Sequence, residues 1–126
     1  MNYHLDTCIL LEILLQQQKK EKCKEFINNN DLLFISDFSF HSIGVTLFRT
    51  KYFDKYISFV NDVAPRITIT SLSQNEYQNI PSISKKYNFD FDDSYQFALS
   101  KTNEFNFVTL DAHFNQANND IKITFL

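Results

Sequence analysis

Short apolar runs alternate with longer amphipathic ones along the whole chain. Tyr3-His4-Leu5 is the first short run, and Thr7 to about Gln18 follows as a helix with Ile9, Leu10, Ile13 and Leu14 on one face. Lys19 to Asn29 reads as a second, more polar helix that the Asn28-Asn29-Asn30 run breaks. Leu32 to Ile35 suits a strand buried on both faces. Ser36 or Asp37 then caps a helix to about Arg49, and Tyr52 to Val63 repeats the helical period until Pro65. Ile67 to Thr70 alternates β-branched residues and reads as a strand. Ser73-Gln74-Asn75-Glu76 has capping-box spacing, and Pro81 ends or kinks the helix it opens, with a further turn to about Tyr87. Asp92 or Asp93 opens a helix carrying Tyr95, Phe97, Ala98 and Leu99. Phe107 to Leu110 is the fourth strand and Ile121 to Phe125 a short fifth.

Such alternation predicts an α/β fold: a three-layer α/β/α domain with a four- or five-stranded parallel sheet. Nothing repeats and nothing resembles a linker, so residues 1–126 read as a single domain, long enough for one core. The 14 Phe and 6 Tyr supply much of the burial, and a lone glycine argues against a turn-rich sandwich or barrel. That glycine, Gly44, falls inside a helix, where it costs about 1 kcal/mol against alanine, so it is expected to mark a close helix contact.

The net charge of −3 and the dilution of Lys19, Lys20, Lys22 and Lys24 by Glu21 and Glu25 leave no broad basic footprint of a duplex binder. Cys8 and Cys23 match neither a zinc pattern nor a disulfide scaffold, and their small number points to a reducing cytoplasm. Glu12 interrupts the apolar run from Cys8 to Leu15, so neither a signal peptide nor a membrane span is expected.

Chemistry enters through the ends of the short runs. Leu5-Asp6-Thr7, Asp90-Phe91-Asp92-Asp93-Ser94 and Thr109-Leu110-Asp111 each set aspartate after a strand or at a helix start. Ligands of an open parallel sheet sit outside the carboxyl ends of its strands, so these acids should converge on one rim. Converging carboxylates repel, and such a cluster suits a hard divalent cation. Each acid alone has an ordinary structural role, as a helix cap or, for Asp111, an Asx turn. Capping does not explain why all of them share one edge.

Three motifs in this order resemble the PIN-domain nucleases, such as VapC-like toxins. His4-Leu5-Asp6-Thr7-Cys8 resembles the opening hydrophobic-Asp-Thr-Asn motif. Asp92-Asp93-Ser94-Tyr95-Gln96-Phe97-Ala98 is similar to the family's central helix start, and Val108-Thr109-Leu110-Asp111-Ala112-His113-Phe114 to its late Thr-x-Asp-x-x-Phe motif. The resemblance implies that Asp6, Asp93 and Asp111 bind Mg²⁺ or Mn²⁺ and carry metal-assisted hydrolysis of RNA phosphodiesters. Asp92 is the alternative if the register slips by one, with Thr7 and Thr109 supporting the carboxylates. It further implies a type II toxin with a small cognate antitoxin and a homodimer.

Two departures stand out. The family's Glu after the second strand is missing, with Ser42 roughly in its place, and Cys8 replaces the usual Asn. Asp37 is expected to cap a helix, while His41 is placed to contact phosphate or a metal's water where the Glu is absent. His113 lies beside the rim, and His4 should pack within its strand. The missing Glu supports a second expectation, a catalytically weakened PIN-like module that binds protein or RNA. A response-regulator-like domain needs a phosphoacceptor Asp after the third strand, and Ile67-Thr68-Ile69-Thr70-Ser71 has none.

Overall fold

Five strands form one wholly parallel sheet: β1 (Tyr3–Leu5), β2 (Leu33–Ser36), β3 (Thr68–Thr70), β4 (Asn106–Thr109) and β5 (Lys122–Phe125). The structure, a computed structural model, describes residues 1–126. The strand order is β3-β2-β1-β4-β5, so the chain builds outward from β1 on one side and then returns to begin again at β4 on the other. That reversal makes the crevice between the carboxyl ends of β1 and β4 the natural ligand site. The register sets His4 beside Phe107 and Leu5 beside Val108, which brings the residues after both strands to the same height.

Side chains alternate across the sheet, and the two faces gather different helices. Leu5 and Val108 join a core with Ile9 and Leu10 of α1 (Thr7–Leu14), Cys23 and Ile27 of α2 (Lys20–Asn28), and Ile43 and Leu47 of α3 (Asp37–Arg49). Phe107 faces the other way, packing with Tyr87 of α5 (Ile80–Tyr87), Phe97 of α6 (Phe91–Asn103) and Phe114. Every residue from Ser94 to Ser100 of α6 is buried, so this helix is enclosed all round. No helix is long and apolar enough to cross a membrane.

Element boundaries depart from expectation where local signals competed. The first helix stops at Leu14 rather than near Gln18, and Gln16 turns the chain with a positive φ of 55°. Lys51, Asn88 and Glu104 also take a positive φ, and the helices before Lys51 and Asn88 end where expected, at Arg49 and Tyr87. The expected Tyr52–Val63 helix is α-helical only over α4 (Phe53–Ser58). It widens into a π-helical turn over Phe59–Val63 that drives Phe59 into the core.

Ser73 makes no capping bond; its hydroxyl donates to Asn75 Oδ1, and Gln74–Asn79 is a 3₁₀ helix. Pro81 does not end a helix but sits in the first turn of α5, where its missing N–H costs nothing. After β4 the chain winds through a 3₁₀ helix over Ala112–Ala117. Gly44 marks no forced contact: a Cβ there would meet Tyr56 Cε2 at 3.7 Å, an ordinary van der Waals distance.

Candidate active site

Asp6 stands at the start of α1 yet makes no capping hydrogen bond with its side chain. Both of its oxygens are held from elsewhere. Thr109 Oγ1, at the end of β4, donates to Oδ2 at 2.6 Å, and Gln96 Nε2, from α6, donates to Oδ1 at 3.4 Å. The Thr109 hydroxyl also accepts the Asp111 N–H at 3.0 Å, so one side chain ties together the segments after β1 and β4.

Asp90 caps α6, accepting the Asp93 N–H at 2.8 Å, which corrects the expectation that Asp92 or Asp93 opens this helix. Both of those carboxylates are thereby free of capping and line a cleft of about 190 Å³ with Asp6, Thr7, Phe38, Ser42 and Gln96. Asp111 does play the structural role expected of a turn acid, its Oδ1 accepting the His113 N–H at 2.9 Å. Its charge still reaches the cleft, raising the proton affinity of both Asp6 and Asp93.

Desolvation dominates the electrostatics. Withdrawal from water raises the Asp6 pKa against the opposing hydrogen bond from Thr109, with the Asp111 charge adding to the rise. Asp93 is pushed up to about 6, first by burial and then by the charges of Asp90, Asp111 and Asp6. Burial and then Asp90 raise Asp92 as well. No lysine or arginine lines the cleft, so nothing within the chain neutralises these acids there.

The donors are all oxygens, and hard divalent cations prefer oxygen ligands. The side chains surround the cleft without closing on it, since no three His, Cys, Asp or Glu side chains stand close enough together to grip an ion as they are. Like charges hold such groups apart until a cation screens them. The donor chemistry fits a hard divalent cation, which Asp6, Asp92 and Asp93 of the lining could hold, with Asp111 acting on the cleft through its charge.

The PIN domain pattern matches residues 3–119. The chain belongs to the PIN-domain family. Solved structures share its fold: a toxin–antitoxin complex from Klebsiella pneumoniae superposes with a TM-score of 0.77 at 14% identity, covering 98% of this chain and 96% of that one. VapBC2 from Rickettsia felis, bound to a DNA fragment from its promoter, matches with a TM-score of 0.73 at 15% identity and 98% coverage of both chains. FitAcB from Neisseria gonorrhoeae gives 0.73 at 19% identity, with 98% and 96% covered. No curated protein matches by sequence.

Within this PIN domain the remaining expected residues divide. Ser42 lies on the cleft wall, where the sequence placed the missing Glu. Thr7 lines the same cleft, but its hydroxyl donates to Ser39 Oγ at 2.7 Å, so it acts on α3 rather than gripping the Asp6 carboxylate with its side chain. His41 does not face the carboxylates: one helical position away from Ser42, it lines an outer groove with Phe40, Val45, Phe48 and Arg49. A helix rotates about 100° per residue, which separates the two side chains onto different faces.

Asp37 neither caps nor reaches the rim, because Ser36 caps α3 and Asp37 Oδ1 accepts the Tyr95 hydroxyl at 2.6 Å. His113 is engaged on both nitrogens, Nε2 with Asn88 O at 3.1 Å and Nδ1 with Gln116 Nε2 at 2.9 Å. His4 is fully buried, and burial pushes its pKa down to about 3, with the Gln96 side chain its opposing hydrogen-bonding influence. Sequence reading missed Gln96 and Ser39, both buried at the cleft base, with Gln96 Nε2 donating to Ser39 Oγ at 2.9 Å. The available signal was a glutamine in the middle of the apolar run Tyr95-Gln96-Phe97-Ala98-Leu99.

The raised Asp93 pKa carries a pH dependence. Unfolded Asp93 ionises near the ordinary aspartate value of 3.8 while the folded residue keeps its proton to about 6, so the folded state binds more protons between these values. Stability of the metal-free protein should fall as pH rises through that window and level off above it. A cation competes with the same proton, so Mn²⁺ should raise the melting temperature more at pH 7 than at pH 5. Thermal scans at both pH values, with and without Mn²⁺, check this; equal shifts would remove Asp93 from the ligand set.

Proposed function

We propose that this PIN domain is a divalent-cation-dependent endoribonuclease and the toxin of a type II toxin–antitoxin pair. The observation that carries the reading is the convergence of Asp6, Asp93 and Asp111 from three distant segments. Their segments lie toward the reversal point of the sheet, their charges act on one another, and no basic side chain lines the cleft. Asp6, Asp93 and Asp111 would hold Mg²⁺ or Mn²⁺. When bound, the cation supplies Lewis acidity and charge neutralisation to phosphodiester hydrolysis, in which water adds at phosphorus and one P–O ester bond breaks.

The chain's own contribution is placement. Thr109 and Gln96 hold the two oxygens of Asp6, and the Asp90 cap sets the α6 start so that Asp92 and Asp93 face the cleft. The open cleft suits a phosphate of an extended strand better than an enclosed small molecule. A larger cavity of about 640 Å³ lies away from the acids, along α3 and α4.

That outer groove is our candidate surface for the antitoxin. Phe48 lines this groove and is exposed with its ring against exposed Phe53 and against Tyr56, an apolar surface of the kind that marks protein–protein contacts. One structure that shares the fold is a toxin–antitoxin complex, which favours a small antitoxin as the occupant. Phe48→Asp is expected to abolish capture of a co-expressed antitoxin while RNA cleavage persists; unchanged capture would move the interface elsewhere, and loss of a dimer would assign the patch to a second copy.

The function is tested by incubating the purified protein with single-stranded RNA and Mn²⁺, with chelator and single-stranded DNA as controls. Metal-dependent RNA cleavage is expected. Ser42 at the position of the missing Glu favours one second reading, a PIN module that binds RNA or protein without turnover. RNA binding without cleavage would select it.

A further inference from the structure

Beneath the cleft, two buried polar side chains are each half-satisfied. Gln96 is 2% exposed, and its Nε2 serves Ser39 and Asp6 while its Oε1 has no partner at hydrogen-bond distance. His4, on the strand that leads to Asp6, is fully buried with Nδ1 at 2.7 Å from Ser100 Oγ and Nε2 likewise without a partner. Ser100 lies four residues after Gln96, one turn along the same face of α6. The ring is thus set against α6 by its Nδ1–Ser100 bond, and His4 Nε2 and Gln96 Oε1 are the two buried polar side-chain atoms left without a partner. A neutral imidazole that accepts the Ser100 hydroxyl at Nδ1 carries its proton on Nε2, and an orphaned amide oxygen is the acceptor such a proton requires.

We propose that His4, acting through Gln96, is a positioning residue for Asp6: His4 Nε2–H is matched by Gln96 Oε1, which turns the amide N–H toward Asp6 Oδ1 and Ser39 Oγ. With the amide reversed, Oε1 would oppose the Asp6 carboxylate, acceptor against acceptor, and the amide N–H₂ would oppose His4 Nε2–H, donor against donor. Only one orientation satisfies both ends. Together with Thr109 on Oδ2, it restrains both Asp6 oxygens and leaves their remaining lone pairs to a cation. The consequence for cation binding rests on the nuclease reading above; the hydrogen-bond relay itself does not.

The test pairs metal titration with a direct view of the ring. Mn²⁺ alone is titrated into wild type, His4→Leu, Gln96→Leu, the double variant and His4→Gln, each verified as folded by its melting curve. Each Leu variant should bind Mn²⁺ about tenfold more weakly, as loss of a residue that orients a metal ligand commonly does. The double variant should bind no more weakly than Gln96→Leu, because the two act as one unit. His4→Gln, which offers a side-chain N–H again, should recover most of the affinity. Nitrogen-15 NMR of the wild-type imidazole should find the proton on Nε2. Folded Leu variants with wild-type affinity, additive losses, or a proton on Nδ1 would each overturn the relay. Absence of Mn²⁺ binding by wild type would instead sink the nuclease reading, and the tautomer would then decide the relay by itself.

Discussion

Asp6→Asn should reduce Mn²⁺-dependent RNA cleavage by at least about a hundredfold, and Asp111→Asn and Asp93→Asn should do the same. Asparagine keeps the size of the side chain and can still accept from Thr109, so the fold has little reason to change. What disappears is an anionic oxygen in a cleft where burial and neighbouring carboxylates already resist charge. Asp6→Asn and Asp93→Asn should therefore raise the melting temperature of the metal-free protein at pH 7, because they relieve that repulsion. Gain of stability joined to loss of cleavage is the signature of a charge kept for function. Cleavage assays and thermal scans on the three variants measure both. Persisting cleavage in Asp6→Asn and Asp111→Asn would reject the carboxylate site.

Ser42→Glu carries the second large effect, in the opposite direction. Ser42 shares the cleft with Asp6, Asp92 and Asp93, on a helix whose first turn is fixed by Ser36 and Ser39. A glutamate there would add a further oxygen donor on the α3 side, and Mn²⁺ affinity should rise about tenfold, since affinity for hard cations follows ligand charge. Without metal, the extra charge should lower the melting temperature at pH 7 and push Asp93 higher still. Calorimetric titration with Mn²⁺ and scans in chelator check the pair of effects. Unchanged affinity would show that position 42 does not address the cation, and the missing Glu would then need no substitute.

The alternation of apolar and amphipathic runs was enough to read a parallel α/β domain, because strand and helix periods differ and the inner strands β1, β2 and β4 are largely buried. The candidate acids were legible for a related reason: a strand end or helix start is a local feature, and Asp6, Asp93 and Asp111 stand at or beside such ends. Where the first helix stops was not legible, since its left-handed turn falls at Gln16 rather than at a glycine, whereas the end at Arg49 was read. Asp90 as the true cap of α6 was a choice among three nearby acids that only backbone geometry resolves.

Sequence by itself determined which residues carry charge to the strand ends and in what order along the chain. Tertiary structure alone decided which of them share a cleft, because that depends on strand order rather than on sequence distance. Placing β4 against β1 is what lets Thr109 bridge Asp6 and Asp111 across 103 and 2 residues of chain. One helical position then separates Ser42, inside the cleft, from His41, outside it. The pairing of His4 with Gln96 has the same origin: a polar residue in a buried strand and another in a buried helix find each other only when the sheet and α6 pack face to face.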